Sequence, residues 1–183
     1  MSNKAVFLDR DGVINVDKGY VHKIEDFEFY PEVFPALKLL QKNNYKLIVV
    51  TNQSGIAVGY YTLEDFQKVT EFMLSQLEKH GIKIEKVYFC PHHPEGVIPE
   101  LRKKCACRKP ESGMIKAAIK EFNINPAESF LIGDKETDIQ AGHKEGIKSI
   151  LVKTGQGKKY LSNTTADFVA DNILDAVENF ILK

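Results

Sequence analysis

The chain has 183 residues, 25 Lys and Arg against 25 Asp and Glu, and 43% hydrophobic residues. That length suits one domain, residues 1–183, with a core large enough to need no disulfides. Zero formal net charge argues against a broad electrostatic grip on nucleic acid or an anionic membrane, but not against a local basic pocket.

Short apolar runs alternate with helical patterns. Ala5-Val6-Phe7-Leu8 ends at Asp9, and Val33, Leu37 and Leu40 then mark a helix. Leu47-Ile48-Val49-Val50 ends at Thr51. Thr62 is an N-cap with Asp65 three residues on, and Leu63, Phe66, Val69, Met73 and Leu77 follow at helical spacing until Gly81. Val87-Tyr88-Phe89 ends at Cys90, and Ile115, Ala118, Ile119 and Phe122 make a further apolar stripe. Phe130-Leu131-Ile132 ends at Gly133-Asp134, a helix runs from Asp138 to Lys144, and Ile150-Leu151-Val152 follows. Phe168-Val169-Ala170 and a final amphipathic helix close the chain. Short runs that are apolar on both faces suit buried parallel strands. The alternation predicts an α/β fold, a doubly wound, mostly parallel sheet with helices on both faces. No stretch approaches the ~20 apolar residues of a membrane span. The start, Met1-Ser2-Asn3-Lys4, has no signal-peptide pattern, so the expected location is the cytoplasm.

In such sheets ligands bind beyond the carboxyl ends of the strands, and four of these runs end in reactive groups. Asp9 and Asp11, two residues apart, place like charges together, which suits a hard dication and equally a solvated turn. Thr51-Asn52-Gln53-Ser54-Gly55 offers a hydroxyl, amides and a turn whose N–H groups can face an anion, although ordinary turn chemistry accounts for it as well. Asp134 and Asp138 bring further carboxylates. Cys90, His92, Cys105 and Cys107, with His93 beside them, read as metal chemistry. Their spacings are tighter than those of a zinc finger, and buried free thiols are the alternative.

In this order, Asp9-Arg10-Asp11-Gly12-Val13, Thr51-Asn52-Gln53-Ser54-Gly55 and Gly133-Asp134-Lys135 with Asp138 resemble the haloacid dehalogenase-like phosphatase superfamily. Cys90-Pro91-His92-His93-Pro94 and Cys105-Ala106-Cys107-Arg108-Lys109-Pro110 resemble its zinc-loop subgroup, which holds heptose 1,7-bisphosphate and histidinol-phosphate phosphatases. The resemblance runs from about Lys4 to Gly157, with Val13 where many relatives carry Thr.

The resemblance implies an Mg²⁺-dependent phosphomonoesterase that removes the 7-phosphate of a heptose 1,7-bisphosphate through an aspartyl-phosphate. Asp9 would be the nucleophile and Asp11 the general acid, then base, a role that calls for a carboxyl raised by desolvation and its carboxylate neighbour. Mg²⁺ would be held by Asp9, the Asp11 main-chain carbonyl and Asp134. Thr51 and Lys109 would meet the phosphoryl oxygens, with Lys135 assisting. Arg108 would read the substrate, along with Asp17, Lys18, Gly19, Tyr20, Asn52, Gln53 and Ser54. Asp138 either orients Lys135 or a metal-bound water, or serves the helix dipole.

By the same resemblance Cys90, His92, Cys105 and Cys107 would hold a structural Zn²⁺ that staples loop 90–107 and aims Arg108 and Lys109 at the site, with His93 turned elsewhere. About 20 residues separate Asp11 from the first helix, too few for a cap domain, so the pocket mouth is expected to be open. The partner expected is a small phosphosugar, with no nucleic acid or membrane, and the chain is expected to be a monomer. Rival readings are histidinol phosphate as substrate, a receiver-like phosphoacceptor domain, and a zinc module on nucleic acid. The last lacks interleaved aromatic and basic residues.

Overall fold

A computed structural model describes residues 2–183. Six strands form one sheet: β1 (Ala5–Leu8), β2 (Lys46–Asn52), β3 (Lys86–Cys90), β4 (Phe130–Gly133), β5 (Lys148–Val152) and β6 (Phe168–Ala170). Their order is β3-β2-β1-β4-β5-β6 and every pairing is parallel. This is the doubly wound arrangement anticipated from the alternation, with β6 completing the parallel set. The order reverses beside β1, which puts the crevice of such a sheet next to Asp9.

The period of two along each strand divides the core. Val6, Leu8, Leu47, Val49 and Ile132 face one side, where α1 (Val33–Lys42), α3 (Leu63–Lys79) and α6 (Ile173–Ala176) pack through Leu37, Leu40, Val69, Met73, Ile173 and Ala176. Ala5, Phe7, Ile48, Val50 and Leu131 face the other, against Met114, Ile115 and Ala118 of α4 (Gly113–Phe122) and Ala141 of α5 (Glu136–His143). Burying one Leu or Ile side chain stabilises by about 1.5–3 kcal/mol, so these two layers hold the strand ends in fixed register.

Local signals set the helix ends. At α3 the capping box forms as expected: Asp65 N–H donates to Thr62 Oγ1 (3.1 Å) and Thr62 N–H to Asp65 Oδ2 (2.9 Å). Helix α5 starts at Glu136, two residues before the expected Asp138, because Asp138 Oδ2 accepts the Lys135 N–H (3.0 Å) and caps the first turn. A single short turn, α2 (Gly55–Val58), follows the Thr51 segment. The final helix is four α residues that widen into a π turn over Val177–Ile181.

Candidate active site

The chain turns sharply after β1. Arg10 O accepts N–H bonds from Val13 (3.3 Å), Ile14 (2.8 Å) and Asn15 (3.1 Å), and Arg10 N–H donates to Asp9 Oδ1 (2.8 Å). Asp9 is thereby locked into the crevice, 5% exposed. Gly12 makes the turn possible. Its φ is +89°, and a Cβ there would lie 2.2 Å from Asp134 Oδ2.

Lys109 arrives from the far side and is buried. Its ammonium lies 3.0 Å from Asp9 Oδ1 and 2.6 Å from Asp138 Oδ1, and donates to Val50 O at 2.7 Å. Burial works against its charge, but the Asp138 and Asp9 carboxylates outweigh it and raise the ammonium above the ordinary lysine value. Asn52 braces the Lys109 main chain from β2: Nδ2 donates to Lys109 O (3.1 Å) and Oδ1 accepts Lys109 N–H (3.0 Å). The Asn52 amide, expected at the substrate, is thus engaged in holding the lysine.

Asp9, Asp134 and Asp138 form the carboxylate cluster, their oxygens within 4.8 Å of one another. Asp134 is fully buried, and its Oδ1 accepts no hydrogen bond; Lys135 Nζ is 3.6 Å away. Burial pushes the Asp134 carboxyl up to about 8; Lys135 opposes the shift, while Asp9 and Asp138 add to it. Within this cluster the buried Asp9 and Asp134 carboxylates, with the Asp134 oxygen that accepts no hydrogen bond, offer the hard oxygen donors that Mg²⁺ takes. Asp138 therefore faces the Lys109 side chain and the Lys135 main chain, rather than the Lys135 ammonium.

Asp11 has other neighbours than the second carboxylate suggested by the spacing. Arg10, itself wholly buried, meets it through Nη2 (2.9 and 3.0 Å) and Nε (3.2 Å), Asn15 Nδ2 donates to Oδ1 (3.0 Å), and Gln53 Nε2 to Oδ2 (3.2 Å). Arg10 also donates to Val21 O (2.7 Å), tying Asp11 to the segment that follows Asp17.

A cavity of about 390 Å³ opens above these groups, lined by Asp11, Asp17, Gly19, Tyr20, Asn52, Gln53, Ser54, Arg108, Lys109 and Lys135. A recess of about 40 Å³ around Asp9, Thr51 and Asp138 adjoins it. Lys18 lies outside both and pairs with Glu28 (3.0 Å) on the surface. Sequence reading missed four further lining residues: Tyr61, Thr137, Gln156 and Tyr160. Gln156 is tied in twice, its N–H to Asp134 Oδ2 (2.8 Å) and its Nε2 to Asp17 Oδ2 (3.1 Å). Burial would raise Asp17, yet donors from Gln156, Gly19 and Lys135 hold it below the usual carboxylate value. The only signal for this wall was Gly155, at φ +55°, where a Cβ would sit 2.3 Å from Asp134 Oδ2.

Cys90, His92, Cys105 and Cys107 converge, their ligand atoms also within 4.8 Å of one another. Cys90 and Cys107 sulfurs are 2.9 Å apart, and His92 Nδ1 is 3.4 Å from Cys107 Sγ. Three soft sulfurs and one imidazole fit a closed tetrahedral zinc site, and this cluster can hold one. His93 is turned away, its Nδ1 accepting the Glu95 N–H (3.2 Å). Arg108 Nη1 donates to His92 O (3.3 Å), so the cluster and the pocket share a strut.

An α/β sheet with an acidic pair after β1, a hydroxyl after β2, a buried lysine and a further acidic group after β4 defines a haloacid dehalogenase-like hydrolase. The HAD-hydrolase-like family matches residues 106–176. A D-glycero-beta-D-manno-heptose-1,7-bisphosphate 7-phosphatase of Haemophilus ducreyi is 48% identical, covering 97% of this chain and 98% of that relative. A D-glycero-alpha-D-manno-heptose-1,7-bisphosphate 7-phosphatase of Photorhabdus laumondii is 43% identical over 97% of this chain and 96% of its own. The crystal structure of D,D-heptose 1,7-bisphosphate phosphatase from B. bronchiseptica, complexed with magnesium and phosphate, is 28% identical with TM-score 0.86 over 96% of both chains. The chain belongs to the haloacid dehalogenase-like hydrolases and, within them, to the family of these heptose bisphosphate phosphatases. Among the described residues no helix is long and apolar enough to cross a membrane.

Proposed function

We propose that this chain is a phosphomonoesterase that removes the 7-phosphate of a D-glycero-D-manno-heptose 1,7-bisphosphate. The observation that carries this is the separation of positive charge in the cavity, with Lys109 and Lys135 at the Asp9 recess and Arg108 on the wall away from it, which suits a substrate with two phosphates. Relatives 48% and 43% identical to this chain carry that activity in their names.

In the proposed reaction Asp9 attacks phosphorus, the bond to the C7 oxygen breaks, and Asp11 gives that oxygen a proton. Water then attacks the Asp9-bound phosphoryl group, losing its proton to Asp11 and freeing Asp9. Thr51 donates its hydroxyl hydrogen to a phosphoryl oxygen, while Lys109 and Lys135 keep positive charge beside the transferred group. Arg108 takes the phosphate at C1, and the segment Asp17 to Tyr20 supplies acceptors for sugar hydroxyls. Mg²⁺, held by Asp9, Asp134 and the Asp11 carbonyl, would neutralise charge on the phosphoryl oxygens. Zn²⁺ on Cys90, His92, Cys105 and Cys107 would hold loop 90–107 rigid beneath Arg108 and Lys109. The chain would act as a single-domain cytoplasmic monomer.

The test is phosphate release in Mg²⁺ from both heptose bisphosphate anomers and from histidinol phosphate. Preferential turnover of a heptose anomer is expected. Preferential turnover of histidinol phosphate would overturn the substrate while retaining the chemistry.

A further inference from the structure

The mechanism leaves one buried polar chain without a task. Tyr61 is 6% exposed and Gln53 2% exposed, and the Tyr61 hydroxyl donates to Gln53 Oε1 at 2.6 Å. Gln53 Nε2 in turn has two acceptors, Thr51 Oγ1 at 3.0 Å and Asp11 Oδ2 at 3.2 Å. An amide nitrogen carries two hydrogens, so both are engaged and none is left for a substrate hydroxyl.

The direction of this chain matters. With the Tyr61 hydroxyl donating to the amide oxygen, the amide nitrogen must face Thr51 and Asp11. The flipped amide would aim its oxygen at the Asp11 carboxylate and its hydrogens at the tyrosine. Because Thr51 Oγ1 accepts from Gln53, the threonine hydrogen stays free to point elsewhere, toward the recess around Asp9. The ring that anchors the chain is itself fixed. It stacks on His22 with centroids 5.0 Å apart and planes 5° from parallel. A Cβ at Gly55 would come within 2.1 Å of its Cε1, so only glycine admits the ring there.

We propose that Tyr61 and Gln53 are positioning residues for the reaction: Tyr61 fixes the Gln53 amide, which orients the Thr51 hydroxyl and the Asp11 carboxylate together. This departs from the assignment of Gln53 to substrate binding, and it rests on the phosphatase reading above. One donor misaligned in the transition state costs rate with little change in ground-state binding.

The experiment is steady-state phosphate release from heptose 1,7-bisphosphate by wild type, Tyr61→Phe, Gln53→Met and the double variant. Each single substitution is expected to lower kcat about tenfold, the scale of one hydrogen bond lost behind the reacting groups, with KM within about twofold. In the Gln53→Met background, Tyr61→Phe should then change kcat by less than about twofold, since the tyrosine acts only through the amide. Multiplying losses, an unaffected Tyr61→Phe, or a Gln53→Met whose KM rises while kcat is kept would each overturn the relay. If Tyr61→Phe does not fold, Gln53→Met decides alone by that split. A second readout needs no turnover. The Gln53 side-chain amide hydrogens should exchange slowly with solvent in wild type and at least about tenfold faster in Tyr61→Phe, a scale of one lost hydrogen bond. Unchanged exchange refutes the relay, and a wild type without phosphatase activity but with this exchange difference refutes only the substrate reading.

Discussion

Replacing Lys109 with Met removes the only side-chain cation in contact with both Asp9 and Asp138 among the described residues. The Lys109 side chain is 2% exposed, and its ammonium sits 3.0 Å from Asp9 and 2.6 Å from Asp138. At an effective dielectric near 20, each contact corresponds to about 6 kcal/mol of gross attraction. Desolvating the charges offsets much of that, and breaking such a buried pair by removing one partner costs about 3–5 kcal/mol. An ordinary domain has about 5–15 kcal/mol in all, so the loss should be plain in urea unfolding of the metal-free protein. Added Mg²⁺ should narrow the gap, because the metal offsets the same carboxylates. Combining Lys109→Met with Asp138→Asn removes one excess charge and should recover more than half of the lost stability. Phosphate release by both variants should stay at least about 100-fold below wild type, the scale of a lost charge-stabilising group. A metal-free Lys109→Met within about 1 kcal/mol of wild type, an ordinary surface-like change, would refute the reasoning. So would a double variant less stable than Lys109→Met.

Three other outcomes are expected. Cys107→Ala should lose bound zinc, measured by elemental analysis, and lose activity by up to about 10²-fold through misplacement of Arg108 and Lys109; unchanged zinc content and turnover would contradict this. In the metal-free protein, Asp134 is raised from 3.8 to about 8, and Asp138 is raised as well. The folded state then binds more protons than the unfolded one, so stability should fall as pH rises from about 4 to 8. Urea midpoints in EDTA should show that fall, and Mg²⁺ should flatten it; a rise with pH in EDTA would count against it. Gly155→Ala puts a Cβ 2.3 Å from Asp134 Oδ2 on a backbone at φ +55°. It should raise the Mg²⁺ concentration for half-maximal activity about 10- to 100-fold, as loss of outer support does at other metal sites, and an unchanged Mg²⁺ titration would contradict that.

Most of the fold was legible because buried parallel strands and capped helices write themselves locally: Phe7 and Leu8 before Asp9, Thr62 with Asp65. At the strand ends the residues alone left a solvated turn and a binding site equally open for Asp9 with Asp11 and for the Thr51 segment, and the order of the motifs along the chain decided between them. What was hidden depends on contacts far apart in sequence. Asn52 lines the cavity as its motif suggests, but its bracing of the Lys109 main chain, 57 positions away, has no trace in the sequence. Arg10 stands between two aspartates in the sequence, but its complete burial and its bond to Val21 O, 11 positions on, follow only from the fold. Gln156 lies between two glycines and Tyr160 three residues beyond them, in a segment with no motif, and both line the cavity only because the fold brings them there. Lys18 stands within a motif that matches the family, yet its ammonium reaches Glu28 instead of the pocket.

The most direct test of the central claim is ³¹P NMR of heptose 1,7-bisphosphate with Mg²⁺ and either wild type or Asp9→Asn. Wild type should release inorganic phosphate and leave the signal of the 1-phosphate intact, and Asp9→Asn should release none. Loss of the 1-phosphate, or release that persists in Asp9→Asn, would contradict the assignment of Asp9 as nucleophile toward the 7-phosphate.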